Sequence, residues 1–268
     1  MDYFDNENLI HSFANIRSLQ IQTIDYCNRK CPWCPNAHMD KDPGNRMSYE
    51  TLDRILSELQ SVNYDGRIHL YLLEEPLCDD RIVEITGIVR ERFPNNVIYL
   101  STNGDYLDTK IMVKDLFNAG LSEMSVMHYD KANVGRLQKY SGDPRIALIN
   151  KDEMGDCWYN RGGNVDVTCD FPVEFCEWVL QKLYIRLNGD VILCCSDYNY
   201  EVVYGNLMKQ GLMDIWLSPK YKIYRIAHYF KHGHELALCG QCNRLKRKEV
   251  MSGAVRKRWS FFRPSSAV

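Results

Sequence analysis

The sequence predicts an α/β protein in which βα units surround a parallel sheet and a small α+β unit follows. Between residues 19 and 168, short β-rich runs alternate with amphipathic stretches, as in a parallel sheet with crossover helices. After residue 168 the pattern changes to a hairpin, short helices and clustered cysteines. A chain of 268 residues has room for one large domain and a smaller one. We therefore expect domains at 1–168 and 169–250, followed by a basic tail at 251–268.

The first unit shows five strands and the helices that connect them. Strands are expected at 19–26, 67–73, 96–101, 121–128 and 145–149, and 164–168 is a candidate sixth. Helices are expected at 49–62, 81–93, 109–119 and 133–140. Ser48 is a good N-cap for the first of these helices. Apolar residues recur on one face of that helix, as they do where a helix packs on a sheet.

The C-terminal unit begins with an expected hairpin. Runs at 182–187 and 191–193 flank Asn188-Gly189, a dipeptide that accepts positive φ and closes a two-residue loop. Helices are expected at 211–216 and 219–231. His228 and His232 stand four residues apart at the end of the second of these, and we interpret it as a solvent-facing helix because no partner carboxylate stands in a metal-binding pattern.

Composition is that of a soluble globular protein, with 45% apolar residues, 25% charged residues and a net charge of −2. No apolar run approaches the roughly 18 residues that span a bilayer. The acidic first residues are unlike a signal peptide, so we expect a cytoplasmic protein without a membrane partner. Basic residues crowd the end of the chain, with Glu249 the one acidic residue after residue 242. We interpret this basic tail as solvated, although a nucleic-acid contact is the alternative.

The first cysteine cluster follows the first expected strand. Cys27, Cys31 and Cys34 form a CxxxCxxC segment on one short loop. Three thiolates at this spacing can hold three irons of a [4Fe–4S] cluster and leave the fourth iron open. A structural zinc loop with His38 as a fourth ligand is the alternative. In a reducing cytosol, metal ligation or catalysis explains eleven cysteines better than disulfides do.

The second cysteine cluster lies in the C-terminal unit. Cys176, Cys194, Cys239 and Cys242 supply four thiolates, enough to ligate a second [4Fe–4S] cluster completely or a single zinc ion. Cys195 is adjacent to Cys194 and is the alternative ligand. The remaining cysteines, at positions 78, 157 and 169, are interpreted as small buried side chains.

These motifs resemble those of the radical S-adenosylmethionine superfamily. Its signature is CxxxCxΦC with an aromatic residue before the third cysteine, where this chain has Trp33. Glu75-Pro76 is similar to the family's Gly-Glu-Pro segment, with Glu74 in place of the glycine. The segment 101–104, Ser-Thr-Asn-Gly, looks like the family's Thr-Asn-Gly turn after the third strand. The three segments occur in the family's order, each at an expected strand end.

The C-terminal cysteines resemble the auxiliary-cluster extension of the same superfamily, in the short single-cluster form called a twitch or SPASM-type domain. The segments 205–207 (Gly-Asn-Leu) and 214–216 (Asp-Ile-Trp) are also typical of it. The resemblance covers residues 19–245. It implies a partial (β/α)6 barrel followed by a small α+β auxiliary-cluster domain.

The resemblance also implies cofactors, ligands and a redox partner. It implies two [4Fe–4S] clusters and S-adenosyl-L-methionine, with an external low-potential electron donor such as flavodoxin or ferredoxin. The residues implied to bind S-adenosylmethionine are Trp33, Glu75, Pro76, Ser101, Thr102, Asn103 and Asp130. The implied ligands of the two clusters are Cys27, Cys31 and Cys34, and Cys176, Cys194, Cys239 and Cys242.

The reaction implied is hydrogen-atom abstraction by a 5′-deoxyadenosyl radical. A closed auxiliary cluster is suited to accept an electron, so we expect oxidation of an alcohol to a ketone on a small polyol, sugar or aminocyclitol. Arg161 would orient this small-molecule substrate, because arginine stays protonated. An epimerase with Cys195 as hydrogen donor is one alternative. A peptide-modifying enzyme is another, and a non-enzymatic zinc protein that binds nucleic acid is the alternative outside this class.

Overall fold

The structure is a computed structural model that describes residues 16–129, 131–151, 159–167, 173 and 176–245. In this part of the chain, helices pack against a single sheet. Its strands are β1 (Ser18–Ile21), β2 (Arg67–His69), β3 (Ile98–Thr102), β4 (Glu123–His128), β5 (Ile146–Asn150), β6 (Lys182–Ile185), β7 (Asp190–Ile192) and β8 (Val203–Asn206). Its helices are α1 (Tyr49–Ser61), α2 (Ile82–Arg92), α3 (Val113–Asn118), α4 (Lys131–Leu137), α5 (Trp178–Gln181), α6 (Leu212–Trp216), α7 (Pro219–Tyr229) and α8 (Ala237–Gln241). Short 3-10 helices occur at Pro35–Ala37, Pro76–Cys78, Gln138–Tyr140, Arg161–Gly163 and Gly233–Glu235.

The sheet has eight strands in the order β5-β4-β3-β2-β1-β6-β7-β8. Neighbouring strands from β5 through β1 to β6 run parallel, whereas β7 and β8 are antiparallel. Six parallel strands joined by crossover segments confirm the α/β fold with a parallel sheet. Among the described residues, no helix is both long and apolar enough to cross a membrane.

The candidate sixth strand at 164–168 is wrong. Its described part, 164–167, is a turn followed by irregular chain. The sixth parallel strand is instead β6, which was expected to belong to a separate hairpin. Ser18 lies opposite Lys182, and Ile21 lies opposite Ile185. This pairing covers the edge of β1, whose backbone N–H and C=O groups would otherwise be unpaired there.

The hairpin loop between β6 and β7 is longer than the expected two residues. The Arg186 N–H donates to the Asp190 carbonyl at 2.9 Å, which leaves residues 187–189 in the loop. Gly189 has φ of +85°. A three-residue loop commonly ends on a glycine in this left-handed conformation, so the Asn-Gly signal is correct for a turn but wrong for its length.

The two faces of the sheet differ in polarity. Leu19, Ile68 and Ile98 are fully buried and share one core with Leu56 of α1 and Val89 of α2. Their strand neighbours on the opposite face are polar. Gln20 lies opposite both His69 and Tyr184, and His69 lies opposite Tyr99. The apolar face therefore holds the helices, and the polar face lines the inside of the partial barrel.

The six expected helices lie close to their expected positions, although most are shorter and α4 begins two residues early, at Lys131. Helices α5 and α8 were not expected. Ser48 caps α1, since its Oγ accepts the Thr51 N–H at 3.0 Å. Helix α7 differs from expectation. His228 is 1% exposed and lies against α8, so the interpretation of a solvent-facing helix is wrong for this residue.

We expect Leu56→Ala to lower the free energy of unfolding by about 2–5 kcal/mol, because Leu56 is fully buried between α1 and the sheet. The matched control is Leu217→Ala at a residue 43% exposed, for which we expect a change within about 0.5 kcal/mol. Urea unfolding of both variants and the wild type measures the difference. Equal losses in the two variants would contradict this account of the core.

Candidate active site

The loop after β1 brings the first three cysteines to the wall of one cavity. Cys27, Cys31 and Cys34 line a cavity of about 220 Å³ at the carboxyl ends of the parallel strands, which we call the first cavity. The Cys34 N–H donates to the Cys31 carbonyl at 3.0 Å. Asn36 Nδ2 donates to the Leu73 carbonyl at 2.8 Å and so ties the loop to the chain that follows β2. The loop is therefore folded by its own hydrogen bonds and by the neighbouring strand end.

The donors on this wall fit a [4Fe–4S] cluster with one open iron. Among the described residues, three thiols and no histidine line the first cavity. Burial raises the pKa of Cys27 to about 12, and it also raises the pKa of Cys31. Metal binding would therefore have to release the thiol protons. Within the described ranges, no three Cys, His, Asp or Glu side chains converge as they would around one metal ion.

Asp105 fastens the same loop to the end of β3. Its carboxylate accepts hydrogen bonds from Asn28 Nδ2 at 2.6 Å and Arg29 Nε at 2.7 Å, both on the cysteine loop. Asn133 Nδ2 of α4 donates to it at 2.5 Å. Partial burial opposes the charge of Asp105, but these donors outweigh it and hold its pKa below the ordinary value. An ionised Asp105 thus joins three segments around the first cavity.

Glu75 lines the first cavity between the ends of β2 and β3. Its carboxylate accepts from Thr102 Oγ1 at 2.6 Å, from the Asn103 N–H at 2.7 Å and from the Leu77 N–H at 3.1 Å. Burial raises its pKa to about 7, despite these donors. Pro76 begins the 3-10 helix behind Glu75. The structure therefore brings Glu75 and the Ser-Thr-Asn turn to one wall, with Pro76 behind it.

The turn at the end of β3 completes this wall. Ser101, Thr102 and Asn103 all line the first cavity. Ser101 Oγ accepts from Ser125 Oγ at 2.9 Å. Gly104 has φ of +76°, and a Cβ there would lie 2.6 Å from a methyl of Val126. Glycine is needed at this position because both the backbone conformation and the close approach exclude a side chain.

Glu74, which replaces the family glycine, joins the ends of β1 and β2. Its carboxylate accepts from the Leu73 N–H at 2.7 Å, the Leu72 N–H at 3.2 Å and the Thr23 N–H at 3.3 Å. Burial raises the pKa of Glu74 to about 8, although the three backbone donors oppose the increase. These three N–H groups lie beyond the ends of β1 and β2, so the Glu74 carboxylate is the acceptor that a neighbouring strand does not provide there.

An aromatic wall lies opposite the strand ends. Trp33 stacks on Tyr129 with ring centroids 5.8 Å apart, and the Arg29 guanidinium lies 5.0 Å from the Tyr129 ring. Lys151 Nζ lies 4.9 Å from the Trp33 ring. Such stacked, cation-flanked rings suit a flat heterocycle. Asp130, the other residue implied in this region, lies outside the described residues.

Arg161 and Tyr198 come from the C-terminal half and close the first cavity. Three successive residues, Arg161 to Gly163, have positive φ of 51°, 69° and 92°. Tyr198 OH lies 3.6 Å from Cys34 Sγ. Burial opposes the charge of Arg161, but Tyr198 and nearby thiols raise the pKa of its guanidinium. Arg161 therefore presents a fixed positive charge, with its Nε buried and without a partner among the described residues.

The second group of cysteines lines a separate cavity. Cys176, Cys194, Cys239 and Cys242 all lie on its wall, together with His228 and Arg244, and we call it the second cavity. Four thiols and no carboxylate among the described lining residues fit a fully ligated [4Fe–4S] cluster. Cys195 is absent from the described lining of both cavities.

Several lining residues escaped sequence reasoning because nothing local identifies them. Tyr71 and Asn36 reach the first cavity from a strand end and a 3-10 helix, and Tyr198 reaches it from 164 residues beyond Cys34. His228 and Arg244 flank the second cavity. Neither residue gave a signal in the sequence, because its place on the cavity wall depends on the folded chain.

Two family models match this chain. The radical SAM superfamily model matches residues 21–129, which contain the first cysteine loop and the three strand ends around it. The iron–sulfur cluster-binding SPASM model matches residues 176–243, which contain the second group of cysteines. The chain therefore belongs to the radical S-adenosylmethionine superfamily and carries a SPASM domain, and [4Fe–4S] clusters and S-adenosylmethionine are its cofactors. This membership excludes the non-enzymatic zinc protein as an account of the chain.

Similar proteins include one curated dehydrogenase and two crystal structures of BtrN. The S-adenosyl-L-methionine-dependent 2-deoxy-scyllo-inosamine dehydrogenase of Niallia circulans is 25% identical over 239 residues, which cover 84% of this chain and 92% of that protein. The crystal structure of BtrN in complex with AdoMet and 2-DOIA superposes with a TM-score of 0.74 at 25% identity, over 87% of this chain and 96% of that one. The crystal structure of selenomethionine BtrN in an open conformation superposes with a TM-score of 0.67 at 21% identity, over 85% of this chain and 92% of that one. The chain is thus a radical S-adenosylmethionine oxidoreductase related to BtrN.

We expect Cys194→Ala to lose about four irons per chain and Cys195→Ala to keep them, because only Cys194 lines the second cavity with the other three thiols. Iron and sulfide analysis after anaerobic reconstitution measures the difference, with the wild type at about eight irons. The pair is closely matched, since both side chains are half-buried neighbours. Loss of iron in Cys195→Ala alone would reverse the assignment.

We also expect a pH effect from Glu74 in the metal-free protein. Its folded pKa of about 8 exceeds the ordinary value of 4.5, so its proton stabilises the fold below pH 4.5 and this stabilisation is lost as the pH rises through 8. Glu74→Gln cannot titrate. The free energy of unfolding of the wild type relative to this variant should therefore fall by on the order of 2 kcal/mol between pH 5 and pH 8.

Anaerobic urea unfolding at the two pH values measures this difference. His69 and His228 have lowered pKa values and shift stability in the opposite direction, but both proteins contain them. A relative stability that stays constant, or that rises with pH, would contradict the raised pKa of Glu74.

Proposed function

We propose that this enzyme oxidises a secondary alcohol of an aminocyclitol or a closely similar polyol to a ketone. The observation that carries the proposal is the adjacency of the two cavities. Arg161 lines the first cavity and Gly162, the next residue, lines the second. Successive Cα atoms are about 3.8 Å apart. A substrate in the first cavity would therefore lie close to an electron acceptor in the second.

The cofactors supply the difficult chemistry. When bound, S-adenosylmethionine and the open cluster supply a 5′-deoxyadenosyl radical, and the second cluster supplies a one-electron acceptor. Cys27, Cys31 and Cys34 would hold the open cluster. Oxidation to the ketone then removes three species from the substrate. These are a hydrogen atom from the carbinol carbon, the hydroxyl proton, which goes to a base, and one electron.

The first cavity offers separate groups for each part of S-adenosylmethionine. The carboxylate of Glu75, together with the polar turn at 101–103, would bind polar groups of the nucleotide. The Trp33–Tyr129 stack lies on another wall and would contact its flat base. Asp105 acts at a distance, because it holds the cysteine loop against these walls.

The polar inner face of the sheet supports a hydroxylated substrate. Gln20 and Tyr184 are buried there, yet Gln20 Oε1 and Tyr184 OH lack a partner among the described residues. His69 Nε2 is also buried without one, and His69 Nδ1 lies 3.3 Å from the hydroxyl of Tyr71, which lines the first cavity. Buried polar atoms are normally hydrogen-bonded, so these atoms need polar partners such as water or a bound ligand. The hydroxyl and amino groups of a cyclitol are partners of this kind.

Arg161 would orient the substrate. Its buried guanidinium has an unpaired Nε, and its pKa is raised, so it can donate to a substrate hydroxyl but not remove a proton. Positive φ at Arg161 is strained for a residue with a side chain, as is common at ligand sites. BtrN, whose crystal structure contains AdoMet and 2-DOIA, is similar over most of the chain and supports an aminocyclitol substrate.

We further infer a reducing, cytoplasmic setting and a low-potential electron donor such as flavodoxin or ferredoxin. All nine described cysteines are free, as expected of thiols kept reduced for metal binding. An epimerase remains the second candidate function. Cys195 supports it, because this half-buried thiol lies near Arg161, which lines the first cavity.

The test uses anaerobically reconstituted, reduced enzyme with S-adenosylmethionine and 2-deoxy-scyllo-inosamine deuterated at the carbinol carbon. We expect deuterium in 5′-deoxyadenosine and one ketone formed for each molecule of it. A product of unchanged oxidation state that has gained solvent hydrogen would indicate an epimerase. Cleavage without deuterium transfer from any aminocyclitol or polyol would exclude the proposed substrate class.

The same assay tests Arg161. We expect Arg161→Met to lower kcat/KM at least about tenfold, equivalent to about 1.4 kcal/mol of lost transition-state binding, while substrate-free cleavage of S-adenosylmethionine persists. Arg145→Met is the matched control, since Arg145 is half-exposed and pairs with Asp143 at 2.7 Å. Equal rates in both variants would remove Arg161 from the substrate site.

A further inference from the structure

His228 contacts one of the cysteines of the second cavity directly. Its Nε2 lies 3.3 Å from Cys239 Sγ, within hydrogen-bonding distance for sulfur. His228 is 1% exposed and Cys239 is 8% exposed, so water does not compete for this contact. Both residues line the second cavity.

The ring of His228 is held in one orientation. A Cβ on Gly233 would lie 2.4 Å from its Cε1 and 2.6 Å from its Nδ1, so the Gly233 backbone packs against that edge of the ring. Nδ1 is buried and has no partner among the described residues. Nε2 of the same ring, 3.0 Å from that Cβ position, is the atom that contacts Cys239. Gly233 therefore allows the ring to approach the sulfur because it has no side chain.

The direction of this hydrogen bond follows from the chemistry of a cluster ligand. A cysteine bound to iron is a thiolate, which has no proton and can only accept. The hydrogen must therefore be on Nε2 of His228. Hydrogen bonds to the sulfurs of an iron–sulfur cluster favour its reduced, more negative form and raise its reduction potential.

Two other sulfurs of the second cavity also have donors. The Ser196 N–H lies 3.4 Å from Cys194 Sγ. The Arg244 guanidinium lies near Cys176, where it favours the charged thiolate, and it stacks 4.0 Å from the Trp178 ring. His228 is thus part of a set of N–H donors directed at the sulfurs, and its side chain can be changed without altering the backbone.

We propose that His228 is a positioning residue that donates its Nε2–H to the Cys239 thiolate and so makes the second cluster a better electron acceptor. The inference rests on the proposed function in taking Cys239 as a cluster ligand. In turnover, the electron that leaves the substrate reduces the oxidised second cluster by one electron, while the hydroxyl proton goes to a base and the C–O bond becomes a carbonyl. A lower potential at this cluster would make that step less favourable.

The test measures the reduction potential of the second cluster in the full-length chain. Replacement of Cys27, Cys31 and Cys34 by alanine leaves one cluster to titrate, monitored by electron paramagnetic resonance. In this background we expect His228→Leu to shift the one-electron equilibrium about tenfold towards the oxidised cluster, which is about 59 mV. His228→Gln keeps an N–H donor near the Nε2 position and should restore most of the potential.

Two further variants separate this effect from a general disturbance of the fold. Gly233→Ala moves the His228 ring without changing the histidine, so we expect a shift in the same direction as for His228→Leu. His232→Leu is the matched control, because His232 bonds Glu235 at 2.9 Å and does not contact Cys239. We expect its potential to equal that of the parent chain.

An unchanged potential in His228→Leu would overturn the inference. If His228→Leu does not retain iron, the potentials of His228→Gln and Gly233→Ala test the inference instead. A Gly233→Ala potential equal to that of the parent chain would then overturn the inference. Retention of the second cluster by Cys239→Ala would also overturn it, because Cys239 would then not be a ligand. The potential is measured without substrate, so failure to oxidise an aminocyclitol would refute the proposed function alone.

Discussion

The active site depends on fixing a loop of three thiols without disulfides, because cysteines that must bind iron cannot also pair with each other. Trp33 of this loop stacks on Tyr129. Asp105 supplies the constraint, since its ionised carboxylate accepts from Asn28 and Arg29 of the loop and from Asn133 of α4. Several charge-assisted bonds to one partly buried acid give a geometry that a surface loop would not keep. The positions of the three sulfurs follow from that anchor.

A second constraint places the two cavities side by side. Strand β6 pairs in parallel with β1, so the C-terminal half continues the sheet that carries the first cysteine loop. The chain then needs a sharp reversal between the cavities, and the positive φ values at Arg161, Gly162 and Gly163 provide it. A Cβ on Gly162 would lie 2.8 Å from a methyl of Leu238, so the turn also packs too closely for a side chain there. Proximity of the cavities is therefore built into the backbone.

The sequence predicted what depends on local spacing and missed what depends on tertiary pairing. The three-cysteine loop and the Ser48 cap are local patterns, and the structure has the loop and the cap where they were expected. The pairing of β6 with β1 joins residues more than 160 positions apart, and no local signal announces it. His228 illustrates the same limit: its burial depends on Gly233 and Cys239, which reach it only in the folded chain.

The nitrogen donors at the second cavity suit the role proposed for its cluster. The Ser196 N–H lies 3.4 Å from Cys194 Sγ, and His228 Nε2 lies 3.3 Å from Cys239 Sγ. N–H donors to sulfur raise the potential of a cluster, so they would favour acceptance of an electron from the substrate. The described lining of the first cavity carries two carboxyl groups, Glu74 and Glu75, but also two guanidinium groups, Arg29 and Arg161, so its walls have no excess of negative charge. The difference proposed between the two clusters therefore depends on hydrogen bonds to sulfur and not on the charge of the cavity walls.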